Sequence, residues 1–138
     1  MAIKDNLYLI RGSGITIKNF PLSAEPSKNK TPIIMMASRL IWEKGVDDFI
    51  NVAKIFKQKN ISSRFILVGD SQPSNPRSVP IEFIKKNVAE GVIEWWGRRE
   101  DMANVLSQAT VFCLPSKYGE GVPKVLMEAV AVGCSVIV

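Results

Sequence analysis

The strongest constraint on the fold is an alternation. Six short apolar, β-rich runs (Leu7–Ile10, Ile33–Ala37, Phe65–Val68, Val92–Trp96, Val111–Leu114 and Ser135–Val138) are separated by stretches with helical periodicity. Several runs are apolar throughout rather than alternating, as expected of strands covered on both faces. Strand–helix–strand repetition of this kind builds βαβ units and a parallel sheet. With 138 residues, the chain has the size of one domain.

The intervening stretches are amphipathic. Val46, Phe49, Ile50, Ala53 and Phe56 recur at helical spacing over 46–58, and Asp47 and Asp48 suit a helix's first turn. Pro80 is placed to open a helix carrying Ile81, Phe83, Ile84 and Val88, which Gly91 closes. Asp101 can cap a short helix holding Met102, Val105 and Leu106. Pro123 stands at the first turn of a helix over Val125–Val132, ended by Gly133. Pro21–Pro32 and Ser71–Pro80, rich in Ser, Pro, Asn and charge, read as linkers. The second follows a strand end, where ligands of open α/β sheets bind.

Two strand-end loops carry candidate chemistry. In the first, Glu120 to Glu128 follows the run Val111–Leu114 and enters a helix. The N–H groups of a first helical turn have no internal partner, so they can bond an anion with help from the helix dipole. Gly119 and Gly121 allow tight turns, Glu120 stands at the loop mouth, and Glu128 lies more than a turn inside the helix, able to accept from paired sugar hydroxyls. Spacing alone describes an ordinary strand–loop–helix connection with two surface glutamates equally well. In the second loop, Arg39 and Lys44 place two cations between a strand and a helix. Arginine grips phosphate bidentately and lysine acts as a point charge, although two solvated cations would fit the same spacing. Together the loops offer what a nucleotide diphosphate joined to a polyol requires. Neither a P-loop nor a dinucleotide glycine fingerprint occurs.

Composition removes several classes. The chain contains no histidine, so histidine-based nucleophilic triads and histidine-ligated metal sites cannot be built from it. Cys113 and Cys134 form no CxxC pair and read as core filler, which fits a reduced, cytosolic setting. The net charge of +5 is concentrated at one end: residues 1–31 hold five Lys/Arg against two acids, leaving +2 for the rest. That distribution does not argue for nucleic acid, and the basic end would suit an anionic membrane surface. No apolar run approaches the roughly 20 residues of a membrane span. Trp95 and Trp96 are expected on opposite faces of their strand, and Tyr118 near the mouth of the Glu120 loop.

The blocks Ser38–Gly45, Phe65–Asp70, Val92–Gly97 and Glu120–Glu128 resemble, in order and spacing, the C-terminal, donor-binding domain of GT-B fold glycosyltransferases of the group 1 class, family 4. The resemblance spans about residues 8 to 138. Trp95, Trp96 and Gly97, with Leu114–Ser116 and Pro123–Val125, look closest to bacterial members that build surface polysaccharides on a lipid carrier. It implies an α/β fold, a Rossmann-like doubly wound parallel sheet of about six strands, truncated at its C-terminal end, with 1–138 one domain of a longer two-domain enzyme.

The resemblance also implies roles. Arg39 and Lys44 match the basic pair that neutralises the donor diphosphate. Glu120 matches the glutamate that contacts the donor sugar, and Glu128 the one that holds the ribose hydroxyls. Gly121, Val122, Pro123, Lys124 and Val125 would meet the phosphates through their backbone. Gly97 and Arg98 match the loop bordering the nucleobase, and Gly69 and Asp70 a loop lining the cleft. The implied reaction is retaining and needs no metal or other cofactor, cations and helix dipole stabilising the leaving group. The implied partners are a nucleotide-sugar donor and a lipid-linked or saccharide acceptor, the latter bound by an N-terminal domain. The implied setting is the cytoplasm, at the inner membrane face. Alternatives are a non-catalytic nucleotide-binding module and a GT-B fold epimerase, for which the acid/base histidines are missing. The chain stops inside an apolar run, from which an excised fragment that self-associates, binds nucleotide weakly and transfers no sugar alone is expected.

Overall fold

The computed structural model describes residues 14–22, 31–119 and 121–138. Five of the six apolar runs form one sheet: β1 (Ile33–Ala37), β2 (Arg64–Val68), β3 (Glu94–Trp95), β4 (Val111–Cys113) and β5 (Ser135–Ile137). The run Leu7–Ile10 lies outside the described residues, as does most of the linker Pro21–Pro32. Every strand pair is parallel, and the order is β3-β2-β1-β4-β5. Each crossover contains a helix: α1 (Val46–Gln58), α2 (Ile81–Ala89), α3 (Met102–Leu106) and α4 (Lys124–Ala131). From β1 the chain steps outward to β2 and β3, then returns across β1 to lay down β4 and β5. The direction therefore reverses between β1 and β4, the place where doubly wound sheets open a crevice beyond their strand ends.

Period-two alternation within the strands feeds two cores. Met35, Ala37, Ile66, Val68 and Phe112 pack with Val105, Leu106, Ala129 and Val132 on the α3/α4 face. Met36, Phe65 and Leu67 pack with Val46, Phe49, Ile50, Ala53 and Ile84 on the α1/α2 face. The helical spacing of Val46, Phe49, Ile50 and Ala53 is thus the buried stripe of α1. Trp95, the last residue of β3, joins the α1/α2 core, and Trp96, just past it, joins the α3/α4 core. Cys113 and Cys134 are half-buried free thiols, which burial pushes above the ordinary cysteine value.

Three expectations change in detail. Val92–Trp96 contributes only two residues of ladder, because Ile66 and Leu67 are the positions of β2 that pair with β3. Asp101 occupies the cap position of α3, but its carboxylate is taken by Arg99 at 2.7 and 2.8 Å and by Asn104 at 3.2 Å rather than by the helix backbone. Ser71–Pro80 is no loose linker. Val79 is fully buried, its N–H donates to the Leu40 carbonyl at 2.8 Å, and the Trp42 N–H donates to the Arg77 carbonyl at 3.1 Å. The Ser71 hydroxyl donates to the Val79 carbonyl at 2.6 Å, so the segment is pinned over the loop that leaves β1.

Candidate functional site

All the strand-end loops emerge on one edge of the sheet, and two glycines let them approach each other. Gly69, just past β2, has φ +132°, and a Cβ there would sit 2.0 Å from the Ser38 carbonyl oxygen. Gly45, just before α1, has φ +75°, and its Cβ would sit 2.0 Å from the Pro115 carbonyl oxygen. Any side chain at either position would drive the loops apart. With them closed, the edge borders an open, cleft-like cavity of about 240 Å³ whose wall includes Ser38, Gly69, Arg98, Arg99, Val125 and Glu128.

Glu128 is the buried acid of this wall, only 7% exposed on the inner side of α4. One turn earlier, the Lys124 ammonium lies 3.5 Å from its carboxylate. Pro123 precedes the helix in extended geometry, so the first-turn amides, those of Lys124 and Val125 among them, have no helical carbonyl to bond. The charged floor of the cavity therefore stands below a helix start, where an anion is favoured. Gly121 and Val122 lead into that turn as exposed loop. Glu120 lies outside the described residues.

Arg39 and Lys44 lie on the loop beyond β1, outside the cavity wall. Lys44 ends a 3₁₀ turn (Trp42–Lys44) and is unusually covered for a lysine, 9% exposed, with its ammonium 5.7 Å from the centre of the Tyr118 ring. Burial pulls its pKa below the ordinary 10.5, and the nearby Arg39 charge pulls it further. Two cations crowded at the edge of a crevice gain most when a polyanion comes between them.

The loop beyond β3 forms the opposite wall. The Gly69 N–H donates to the Gly97 carbonyl at 2.8 Å, the Trp95 indole N–H donates to the Gly69 carbonyl at 2.8 Å, and the Arg98 N–H donates to the Asp70 carboxylate at 3.0 Å. Asp70 and Gly97 thus shape the loop that presents Arg98, while Gly69 faces the cavity itself. Residues 38, 69, 98, 125 and 128, distant in sequence, meet at this cavity. Arg99 and Met102 also line it and were not singled out by sequence reasoning. The Arg98–Arg99 doublet just past a strand was the available signal for the first of them. A second cavity of about 560 Å³ adjoins it, shares Met102 and Glu128, and is bounded by residues 14–20 and by Lys124.

Comparison with known proteins identifies the family and the fold. Residues 31–138 match the family model described as glycosyl transferases group 1. An N,N'-diacetylbacillosaminyl-diphospho-undecaprenol alpha-1,3-N-acetylgalactosaminyltransferase of Campylobacter jejuni is 33% identical over 150 aligned positions, covering all of this chain and 38% of that enzyme. A UDP-Gal:alpha-D-GlcNAc-diphosphoundecaprenol alpha-1,3-galactosyltransferase of Escherichia coli is 30% identical over 116 positions, covering 80% of this chain and 28% of that enzyme. The chain therefore spans less than two-fifths of the length of these relatives. In fold, it superposes on Anabaena HepE, solved in complex with UDP, with a TM-score of 0.69 at 21% identity, over 89% of this chain and 36% of HepE. The parallel, doubly wound sheet is thus that of a GT-B glycosyltransferase domain. Since the family model runs over most of the chain and a relative one-third identical aligns along all of it, the chain belongs to the group 1 glycosyltransferase family.

Proposed function

We propose that this chain is the donor-binding part of a glycosyltransferase that moves a sugar from a nucleoside-diphosphate sugar to a lipid-linked saccharide during polysaccharide assembly. The observation that carries the reading is the buried Glu128 on the cleft wall below the open start of α4, at the β1/β4 reversal, with the Arg39–Lys44 cation pair on the adjoining loop beyond β1. In this reading the diphosphate lies across the first turn of α4, with Arg39 and Lys44 against its oxygens. Glu128 accepts from the ribose hydroxyls, and the base rests beside Gly97 and Arg98. As the bond from the anomeric carbon to the diphosphate breaks, charge builds on the leaving oxygens, where fixed cations and backbone N–H groups stabilise it most. Glu120, at the mouth of the same loop, contacts the donor sugar. Protein cations then do the work of a metal, and transfer proceeds with retention at the anomeric carbon.

Two names support the substrate class: the Escherichia coli relative is a UDP-Gal enzyme acting on a diphosphoundecaprenol saccharide, and HepE was solved with UDP. Among the described residues no helix is long and apolar enough to cross a membrane. A carrier-lipid acceptor would bring the protein to the inner membrane face. Calorimetric titration of UDP and of UDP-sugars into the chain, with and without a chelator, tests the reading. Binding that is indifferent to chelator and weakened by Arg39→Ala and by Glu128→Gln is expected. In the transferase that contains this chain, Glu120→Ala should abolish transfer. Full activity in that variant, with no UDP binding to the chain, would mean a non-catalytic module.

A further inference from the structure

The loop beyond β1 and the loop beyond β4 are some seventy positions apart in sequence, yet they are stitched together. The Lys117 N–H donates to the Glu43 carbonyl at 2.8 Å. Its ammonium lies 2.7 Å from Asp47 Oδ2 and 3.1 Å from Asp48 Oδ2, the two acids of the first turn of α1. Pro115 fills the space that Gly45 leaves empty, and the Tyr118 ring covers the Lys44 ammonium. Pro115, Lys117 and Tyr118 thus meet Glu43, Lys44, Gly45, Asp47 and Asp48.

The seam is not closed by good packing alone. Among the described residues, four buried side-chain oxygens have no hydrogen-bond partner, and three of them, Glu43 Oε2, Asp47 Oδ1 and Ser116 Oγ, belong to these two loops. Such atoms oppose closure, so something must hold the loops together against them. An isolated exposed ion pair would contribute little. Here one ammonium bridges two carboxylates and is anchored by its own backbone N–H, which fixes the geometry in advance. Burial pushes the Asp47 carboxyl up, but the Lys117 hydrogen bond and charge, with local backbone N–H groups, outweigh it and hold the carboxyl below its usual range. The Lys117 ammonium is correspondingly held above the ordinary lysine value by its bonds to Asp47 and Asp48.

We infer that Lys117 is a positioning residue: it fastens the β4 loop to the first turn of α1 and thereby fixes Lys44, under Tyr118, relative to the amides that open α4. Nothing in the spacing of the sequence marks it, because its partners lie in another crossover. The role assigned to the held loops rests on the donor-site reading above, whereas the fastening of Lys44 does not, and the experiment separates the two.

The test compares the wild-type chain with Lys117→Met, Lys117→Arg and Asp48→Asn. Side-chain NMR of the lysines, with Lys44 assigned through Lys44→Arg, follows the shift that the Tyr118 ring imposes and the titration of the Lys44 ammonium in its setting of Arg39 and Tyr118. UDP is the binding probe. In Lys117→Met the Lys44 signal should lose its ring-induced shift and titrate closer to an ordinary lysine, and UDP affinity should fall about fivefold. Lys117→Arg should restore both, and Asp48→Asn, on the exposed side of the strap, should move both in the same direction by less. A Lys44 signal identical in wild type, Lys117→Met and Asp48→Asn overturns the inference, whatever happens to melting temperature. If Lys44 moves but UDP binds none of the proteins, the strap stands and the donor-site reading fails.

Discussion

Replacing Gly45 by alanine should separate the loops beyond β1 and β4, and the cost can be worked from the geometry. The residue sits at φ +75°, where an L-residue with a Cβ is disfavoured by about 1 kcal/mol. The added methyl would also lie 2.0 Å from the Pro115 carbonyl oxygen, 2.8 Å from its carbon and 2.9 Å from the Pro115 ring. Real contacts do not reach the first of these distances, and the obstacle is backbone, so the β4 loop must move. Overpacking of this kind costs about 2 kcal/mol, within a usual range of roughly 1–3. The sum is about 3 kcal/mol. With a urea slope of about 2 kcal/mol per molar, the unfolding midpoint should fall by about 1.5 M, read by far-UV circular dichroism. Gly119→Ala is the internal control: among the described residues, chain neighbours aside, no atom lies within 4 Å of its Cβ position, so stability should be unchanged or rise by about 0.5 kcal/mol. A loss below about 1 kcal/mol in Gly45→Ala, no more than an ordinary surface change gives, would refute the claim that Pro115 closes directly on this glycine.

Three further outcomes are expected. Glu128→Gln, which keeps shape and removes charge, should leave the fold intact while weakening UDP binding about tenfold in calorimetric titration, the scale of one charge-assisted hydrogen bond. Trp95→Phe deletes the indole donor to the Gly69 carbonyl and should cost about 1 kcal/mol in urea unfolding. Lys44 binds its proton less tightly folded than unfolded, so its contribution to stability is least favourable at neutral pH and improves as pH rises through its folded pKa towards 10.5. The stability gap between wild type and Lys44→Met should therefore shift in favour of wild type between about pH 7 and about pH 10, and a constant gap would contradict the burial of that ammonium.

How much of this was legible in the sequence follows from how local each feature is. The stripe Val46, Phe49, Ile50, Ala53 marks α1 because every member lies within two turns of the next, and Pro80, Gly91, Pro123 and Gly133 bound helices through their own backbone preferences. The two-faced strands announced a covered parallel sheet for the same reason. What stayed hidden depends on partners far along the chain. The carboxylate of Asp101 reads as a cap until Arg99 is seen to claim it. The polar composition of Ser71–Pro80 hides Val79, whose burial is created by Leu40 and by the loop beyond β1. Around the candidate site, Arg39 and Lys44 were readable from their places after a strand, and Glu128 from its place within the helix that follows the β4 loop. The proximity of Arg39 to Lys44 and the inward aim of Glu128 came only with the fold. Lys117 gave no signal at all, since its meaning lies with Asp47 and Asp48.

The division of Trp95 and Trp96 between the two cores makes the protein its own optical reporter. Trp42 and Trp95 belong to the α1/α2 core and Trp96 to the α3/α4 core, so the three indoles of the chain sample both layers. With Trp96 as the sole tryptophan, emission follows consolidation of the layer that carries Glu128. With Trp95 alone, it follows the layer behind Lys44. Stopped-flow traces from the two proteins would show whether the two layers that flank the crevice become rigid together or one after the other.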